Sequence, residues 1–380
     1  MKFTRPVLLL TVMAGIFSAA PAPAAEPPAR ASILIVQCHG LGYGDLSCYG
    51  QKLFQTPNLD RLAAEGVRCE NYFAGNIGST PSPNALMFGK NSAPTNGEPT
   101  IARQLQQAGY RTGLIGEWAL GEEPWKQGFD EFAGFIHDDE GRNYFADRIR
   151  RFIPHGWMTD SNTFTDYNDW ETIHANVGGQ KGRYVPEILI GAAGTWISAN
   201  SSDKFNQRRP FFLLVNLPVP RSARAGTDEF TVTSDAPFSE EQWPQAAKNR
   251  AALITRLDAG IGKIMAQLAT LQLTNNVLFI FTSAAPPEKF ANTNLNFLSP
   301  DGAGVSAPKG AAAPLPFIAR WPGIIPARQT NSMSISAADF APTALEIIGQ
   351  KIPEEMSGHS LLPVFSGEVA GKKRANGPAH

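Results

Sequence analysis

The sequence is poor in cysteine and has no excess of charge of either sign. Cys38, Cys48 and Cys69 are the three cysteines in 380 residues, and no two of them form a C-x-x-C pair. This spacing argues against a structural zinc site, which needs closely spaced thiolates or imidazoles. The chain has 33 Lys and Arg against 34 Asp and Glu. It therefore lacks the basic footprint of a nucleic-acid-binding protein, and we expect no nucleic-acid partner.

Long apolar runs are also lacking, and the one near the start is short. Residues 1–25 combine Lys2 and Arg5 with the apolar run VLLLTVMAGIF and a small-residue cleavage motif. This order predicts a signal peptide rather than a membrane span, with an uncleaved anchor as the alternative. We expect export to a bacterial periplasm or the exterior, and no transmembrane span after cleavage. An odd cysteine count there permits one bridge, such as Cys48 with Cys69, and a free thiol.

What the sequence does contain is a series of short apolar strands flanked by turn residues. Segment 32–36 reads SILIV, and similar segments occupy 110–116, 210–217 and 275–283, with a further strand at 315–323. Runs that are apolar throughout predict strands buried on both faces, as in a parallel sheet.

Helices with clear start and stop signals lie between these strands. Segment 56–66 begins with a threonine and a proline and ends at glycine, and 98–109 follows a similar pattern. Apolar residues at helical spacing run from Leu253 to Leu268, and a further helix is expected at 338–349. The alternation predicts an α/β fold with a largely parallel central sheet sandwiched by helices. We assign residues 26–368 to this domain and 369–380 to a disordered tail.

Two polar segments are candidates for chemistry. The loop QCHGLGYGD (37–45) follows the first strand, where open α/β sheets place their ligands. His39 with Cys38 could bind a soft metal, but neighbouring side chains of an extended chain point apart, which favours a simple loop residue. Segment 137–142 reads HDDEGR and is interpreted as a solvated loop, with a metal cluster as the alternative.

Several separated motifs resemble the sulfatase family, arylsulfatase-like members of the alkaline phosphatase superfamily. They are LGYGDLSCYG (41–50), TPNLDRLAAEGVR (56–68), EPTIARQLQQAGYRTGLIGEWALG (98–121), GFDEF (128–132) and ARWPG (319–323). The resemblance extends from about Ser32 to Gly367. It implies the same α/β fold and hydrolysis of sulfuric esters with a calcium ion and a formylglycine. Family members continue into a smaller C-terminal domain, which we expect to be largely missing here.

The resemblance implies four calcium-ligand positions, which fall on His39, Gly40, Ala284 and Ala285. Glycine and alanine have no side-chain donor, while calcium takes six to eight oxygen ligands. We therefore expect no metal and no other cofactor.

The nucleophile of the family corresponds to Ser79. The modification motif falls on STPSP (79–83), where Pro83 replaces the arginine that steadies formylglycine in the family. A serine without a base or metal is a weak nucleophile. We expect Ser79 to be inactive and to cap a helix that starts near Ser82.

The substrate-binding positions implied by the resemblance are also altered. Glu117 replaces a sulfate-binding lysine, and Ala119 replaces a histidine. Arg221 falls on a second histidine, and Lys309 matches a second lysine. We hypothesise a salt bridge between Glu117 and Lys309 across this vestigial pocket.

Together these positions favour an exported pseudoenzyme that binds a sulfated glycan, another anion or a protein partner. One alternative is an active sulfuric or phosphoric ester hydrolase that uses Ser79 and a metal site rebuilt with His39 or residues 137–140. A further alternative is a structural envelope protein. Metal binding separates the first two, and a positively charged floor at Lys309 and Arg221 separates the first from the third.

Overall fold

A computed structural model describes most of the domain. The described residues are 31–75, 83–90, 92–95, 97–118, 120–137, 140–154, 166–201, 209–223, 229–287 and 314–367. Ser79, Ala119 and Lys309 lie outside these ranges, as do residues 1–25 and 369–380. The signal peptide, the disordered tail and the cap formed by Ser79 therefore stay predictions.

The described strands form one ten-stranded sheet. The strands are β1 (Ser32–Cys38), β2 (Val67–Phe73), β3 (Arg111–Glu117), β4 (Glu131–Phe135), β5 (Arg148–Ile153), β6 (Tyr167–Thr172), β7 (Phe211–Leu217), β8 (Val277–Ser283), β9 (Leu315–Arg320) and β10 (Gln329–Ser336). Their order is β10-β2-β9-β8-β1-β7-β3-β4-β5-β6. The central five strands, from β8 to β4, are all parallel. Antiparallel pairs flank them on both sides.

Helices cover both faces of this sheet. They are α1 (Pro57–Ala64), α2 (Pro83–Phe88), α3 (Ile101–Gln107), α4 (Val185–Ser201), α5 (Gln245–Thr270), α6 (Phe340–Ile347) and α7 (Leu362–Phe365). Helices α1, α4 and α5 share one hydrophobic core, and α2, α3, α6 and α7 share the other. The predicted α/β sandwich with a parallel centre is confirmed. None of the helices in the described ranges is long and apolar enough to cross a membrane.

Strand β1 shows why the sheet is buried on both sides. Leu34 and Val36 pack into one core, and Ile33 and Ile35 pack into the other. Each of these side chains is at most 1% exposed. Burying an aliphatic side chain of this size contributes about 1.5–3 kcal/mol. This fixes β1 at the centre and places the loop after Cys38 at the carboxyl edge of the sheet.

Residues 137–186 contain the antiparallel hairpin of β5 and β6, which was not predicted from the sequence. Strand β5 reads RIRRFI, and β6 is exposed or half-buried along its whole length. An edge hairpin with arginines in place of apolar residues lacks the continuous apolar run by which the central strands were found.

The three cysteines are free thiols, so the Cys48–Cys69 bridge that the sequence left open is not formed. Cys38 and Cys69 are fully buried. Burial raises the pKa of the Cys69 thiol to about 12.

Candidate functional site

The carboxyl ends of the central parallel strands bring the candidate residues together. The amide of His39 donates to the Val219 carbonyl at 2.9 Å, which joins the loops after β1 and β7. The amide of Ala284 donates to the Cys38 carbonyl at 2.8 Å, and the amide of Gly40 donates to the Ala285 carbonyl at 3.3 Å. His39, Gly40, Ala284 and Ala285 therefore lie side by side, as expected for the ends of adjacent parallel strands.

Glu117 and Arg221 form a buried ion pair at this edge. The side chains are 3% and 0% exposed, and Arg221 Nη2 donates to Glu117 Oε1. The other carboxylate oxygen, Oε2, lies 3.6 Å from His39 Nδ1, and the His39 side chain is 27% exposed. The carboxylate is thus enclosed between a buried guanidinium and a partly solvated imidazole.

The chain around this pair fixes both partners by their backbone. Asn216 Nδ2 donates to the Glu117 carbonyl at 2.9 Å. The Tyr144 hydroxyl contacts the Arg221 carbonyl at 2.7 Å and the Pro218 carbonyl at 3.0 Å. Asn216 and Tyr144 were not found from the sequence, because no motif connects them with Glu117 and only the folded chain brings them into contact.

The HDDEGR segment does not behave as the solvated loop that the sequence suggested. His137 is exposed, but Glu140 is half-buried and Gly141 is buried. A Cβ atom at Gly141 would lie 1.8 Å from Glu117 Oε1, so this backbone lies against the carboxylate. Arg142 Nη1 donates to the Ser222 carbonyl at 2.9 Å. The segment is packed because it covers the ion pair. Asp138 and Asp139 lie outside the described residues.

Gly40 has a backbone conformation that disfavours an acidic side chain. Its φ is +88°, in the left-handed region that glycine adopts freely and other residues rarely do. A Cβ atom there would lie 3.2 Å from Arg221 Cβ. The loop after β1 is therefore shaped for glycine at this position.

A second buried ion pair connects the same loop to helix α5. Arg250, on α5, binds both carboxylate oxygens of Asp45, each at 2.8 Å. Its Nη2 also donates to the Gly40 carbonyl at 2.9 Å, and the Gly42 amide donates to Asp45 Oδ2 at 2.6 Å. The sequence analysis did not identify this pair. The sequence did contain one indication of a buried charge. Arg250 lies three residues before Leu253, on the apolar face of the helix.

Within the described part of the chain, the donor groups at this edge do not fit a calcium ion. Both carboxylates near the loop are already engaged, Asp45 by Arg250 and Glu117 by Arg221. Within the described ranges no three His, Cys, Asp or Glu side chains are grouped so that they could hold a metal. One imidazole, from His39, does not replace the set of oxygen ligands that calcium requires.

Cys38 does not join His39 as a soft-metal ligand. Its Sγ donates to the Thr282 carbonyl at 3.2 Å within the core. Burial raises the pKa of this thiol well above its ordinary value, which disfavours the thiolate that a metal needs.

The salt bridge hypothesised between Glu117 and Lys309 stays a prediction. The Glu117 carboxylate contacts Arg221 and His39 among the described residues, while Lys309 lies outside them. Because Arg221 is paired with Glu117, its positive charge is not available as an open, cationic pocket floor.

Comparison with known proteins relates this architecture to sulfatases. A family model described as Sulfatase matches residues 32–350. The chain is 29% identical to an N-acetylgalactosamine-6-O-sulfatase of Bacteroides thetaiotaomicron, over 87% of this chain and 75% of that protein. It is also 29% identical to the N-acetylgalactosamine-6-sulfatase of Canis lupus familiaris, over 95% of this chain and 70% of that protein.

Solved structures share the fold. The crystal structure of Ps i-CgsB in complex with k-i-k-neocarrahexaose aligns with a TM-score of 0.65 at 23% identity, covering 88% of this chain and 76% of that one. The phosphonate monoester hydrolase of Agrobacterium radiobacter aligns with a TM-score of 0.58 at 16% identity, covering 91% of this chain and 79% of that one.

Proposed function

This chain belongs to the sulfatase family, and we propose that it is a member without sulfuric ester hydrolase activity that uses the fold to bind sulfated glycans. The proposal treats it as a pseudoenzyme that needs neither calcium nor formylglycine. Export to the periplasm or the exterior is part of the same proposal.

The observation that carries this proposal is the ion pair of Glu117 and Arg221. Catalysis of sulfate transfer requires cationic groups directed at the charge of the sulfuryl oxygens. Here a carboxylate with 3% of its side chain exposed takes a position at the end of β3, and it neutralises the nearest guanidinium. An incoming sulfate would therefore meet an ion pair without net positive charge instead of an unpaired cation.

Activation of a nucleophile is also poorly supported. A serine hydroxyl needs an adjacent base or a metal to attack an ester. His39 is a basic side chain at this edge, and its Nδ1 faces Glu117. Because the donor groups do not fit calcium, we assign no catalytic step to a metal.

The ligand class is proposed from the relatives. Several are named as sulfatases of N-acetylgalactosamine, one as a sulfatase of N-acetylglucosamine, and two as arylsulfatases. One structural neighbour was solved in complex with k-i-k-neocarrahexaose. A non-hydrolysing member that kept this scaffold would still present surfaces adjacent to the former site, so sulfated glycans are the ligands that we propose to test.

The test is a calcium titration of the purified chain by calorimetry, with metal analysis of the same sample and hydrolysis assays. Substrates are N-acetylgalactosamine 6-sulfate, an aryl sulfate and an aryl phosphate. We expect no stoichiometric calcium binding, and no turnover above that of the Ser79→Ala variant. Turnover that Ser79→Ala abolishes, or one tightly bound dication per chain, would overturn the proposal.

A second candidate, an active ester hydrolase with a rebuilt site, is favoured by one contact. Glu117 lies 3.6 Å from His39 Nδ1, and a carboxylate in this position can orient an imidazole as a general base. In that case His39→Gln would abolish hydrolysis of the same esters while Arg151→Gln would not. If neither variant alters a background rate, this candidate is rejected.

A further inference from the structure

The hairpin of β5 and β6 carries two arginines grouped around one tryptophan. Arg148 Cζ lies 4.8 Å from the centre of the Trp170 ring, and Arg150 Cζ lies 5.7 Å from it. Trp170 is half-buried, Arg148 is exposed and Arg150 is half-buried. Stacking on an aromatic ring orders a guanidinium while its in-plane N–H groups can still reach solvent.

Charge is separated between the two faces of this hairpin. Arg148 pairs with Thr172 and Arg150 pairs with Trp170 in the strand register, so β6 offers no carboxylate opposite either arginine. Arg150 Nη2 donates to Asn168 Oδ1, a neutral group, at 2.8 Å. Among the residues that the structure describes, neither arginine forms an ion pair.

Arg151 belongs to the opposite face and has a different environment. Its Nη1 lies 2.7 Å from Glu171 Oε2, in an ion pair. Successive side chains of a strand point to opposite faces, so Arg150 and Arg151 differ by one residue but present their charges on different sides. This makes Arg151 an internal control for any effect of charge alone.

The arginine face lies on the opposite face of the sheet from the Glu117 side chain, because Arg150 is level with Gly116 and successive side chains of a strand point to opposite faces. Strand β3 pairs with β4, and β4 pairs with β5, with Gly116, Gly134 and Arg150 at one level. Two strand spacings of about 4.8 Å place the backbone of β5 about 10 Å from that of β3. Arg148 comes before Arg150 on an antiparallel strand, so it lies further toward the edge that carries Glu117.

We propose that Arg148 and Arg150, supported by Trp170, form a subsite that binds sulfate groups of a sulfated oligosaccharide. A guanidinium presents paired N–H donors in a plane, which match two oxygens of a sulfate group. The proposal depends on the proposed function only for its choice of ligand class, because the geometry itself specifies a compact anion with several oxygens.

The surroundings favour a short sulfated glycan over a long polyanion. Glu123 Oε2 and Lys126 Nζ pair at 3.0 Å and contribute no net charge. The whole chain has a formal net charge of −1. A protein that tracks a nucleic acid neutralises many phosphates, whereas this face offers two guanidinium groups. Recognition therefore rests on local hydrogen bonding rather than on a broad positive field.

The experiment measures binding by calorimetry at low and at physiological salt concentration. The probe is a chondroitin 6-sulfate hexasaccharide, with its desulfated form as a matched ligand. We expect the double variant Arg148→Gln, Arg150→Gln to bind at least about tenfold more weakly than wild type, as expected for loss of charge-assisted hydrogen bonds worth about 1.4 kcal/mol or more. Arg151→Gln removes one positive charge from the other face of the hairpin. This variant should bind the hexasaccharide within about twofold of wild type.

Two further variants test the role of the tryptophan and the fold. Trp170→Leu should weaken binding less than the double variant, and Trp170→Phe should retain most of it, because a smaller ring still supports stacking. Thermal unfolding of each variant checks that it is folded. We expect all variants to fold, because the substitutions lie on an exposed hairpin at the edge of the sheet.

Several outcomes would overturn the subsite. They are equal weakening by Arg151→Gln, equal binding of the desulfated hexasaccharide, and absence of binding by the wild type. Analysis of the sugar products in the same samples measures hydrolysis independently of binding. Hydrolysis would contradict the proposed function, whereas undisturbed binding by the arginine variants would contradict only the subsite.

Discussion

Two buried arginine–carboxylate pairs lie near the loop after β1, and they serve different purposes. The pair of Arg250 and Asp45 joins α5 to the loop and also binds the Gly40 carbonyl and the Gly42 amide. The pair of Arg221 and Glu117 lies between the ends of β7 and β3, and it contacts the partly exposed His39. The first pair satisfies backbone groups of the loop, whereas the contacts described for the second join the side chains of Arg221, Glu117 and His39.

This difference shows that a buried ion pair is informative through the groups that depend on it. Removing two charges from water costs free energy, and their mutual attraction often does no more than offset that cost. Where the charges also complete backbone hydrogen bonds, their loss leaves buried polar groups without partners. By this criterion the Arg250 pair belongs to the architecture, whereas the Arg221 pair fills a former site.

The largest effect is expected from breaking the architectural pair. Arg250→Met would leave the Asp45 carboxylate buried without its cation and the Gly40 carbonyl without its donor. We expect the free energy of unfolding to fall by about 3–5 kcal/mol. Urea denaturation followed by tryptophan fluorescence measures this. A loss below about 1 kcal/mol would show that water or another group replaces Arg250.

An intermediate effect is expected from returning an acidic residue to position 40. Gly40→Asp forces a side chain into a backbone with φ of +88° and against Arg221 Cβ. Such strain costs about 1–3 kcal/mol. Gly50→Asp is the matched control, because Gly50 has φ of +106° but no atom within 4 Å of the place that a Cβ would occupy.

Denaturation of both glycine variants separates strain from crowding. Gly40→Asp should be the less stable of the two, and calorimetry should detect no gain of calcium binding. If the two variants lose equal stability, the contact with Arg221 is unimportant.

The smallest effect is expected from replacing the pair in the former site by apolar residues. The double variant Glu117→Leu, Arg221→Met removes both charges together, and we expect stability within about 1 kcal/mol of wild type or higher. The equivalent variant Asp45→Leu, Arg250→Met should lose clearly more, because the Gly42 amide and the Gly40 carbonyl then lack partners. Equal losses in the two double variants would remove the distinction between the pairs.

The strands at the centre of the fold were mostly predictable from sequence, and those at its margins mostly were not. Strand β1 and helix α5 have apolar patterns whose burial dictates their place, so both were predicted. Strands β2, β4, β5, β6 and β10 were not identified. Strand β5 carries three arginines and β10 alternates between buried and exposed residues, so neither has the continuous apolar run that marked the central strands.

The candidate site was predictable only in part, for a related reason. Parallel strands end at one edge, so the proximity of His39 and Ala284 followed from the fold class. The partner of Glu117 did not follow. Lys309, which the sequence suggested, lies outside the described residues, and Arg221 was not suggested as a partner, although the register places Gly116 beside Asn216 and brings Arg221 to Glu117. Contacts such as Arg250 with Asp45, 205 residues apart in the chain, depend on packing that no local pattern encodes.

The left-handed backbone of Gly40 also has an evolutionary consequence. A single change to aspartate at this position lowers stability, and it adds one carboxylate to a place where His39, Ala284 and Ala285 still supply no further oxygen ligands. The first step back toward a metal site at position 40 therefore lowers stability without creating metal binding. Selection can refine a new use of this scaffold more easily than it can restore the old one.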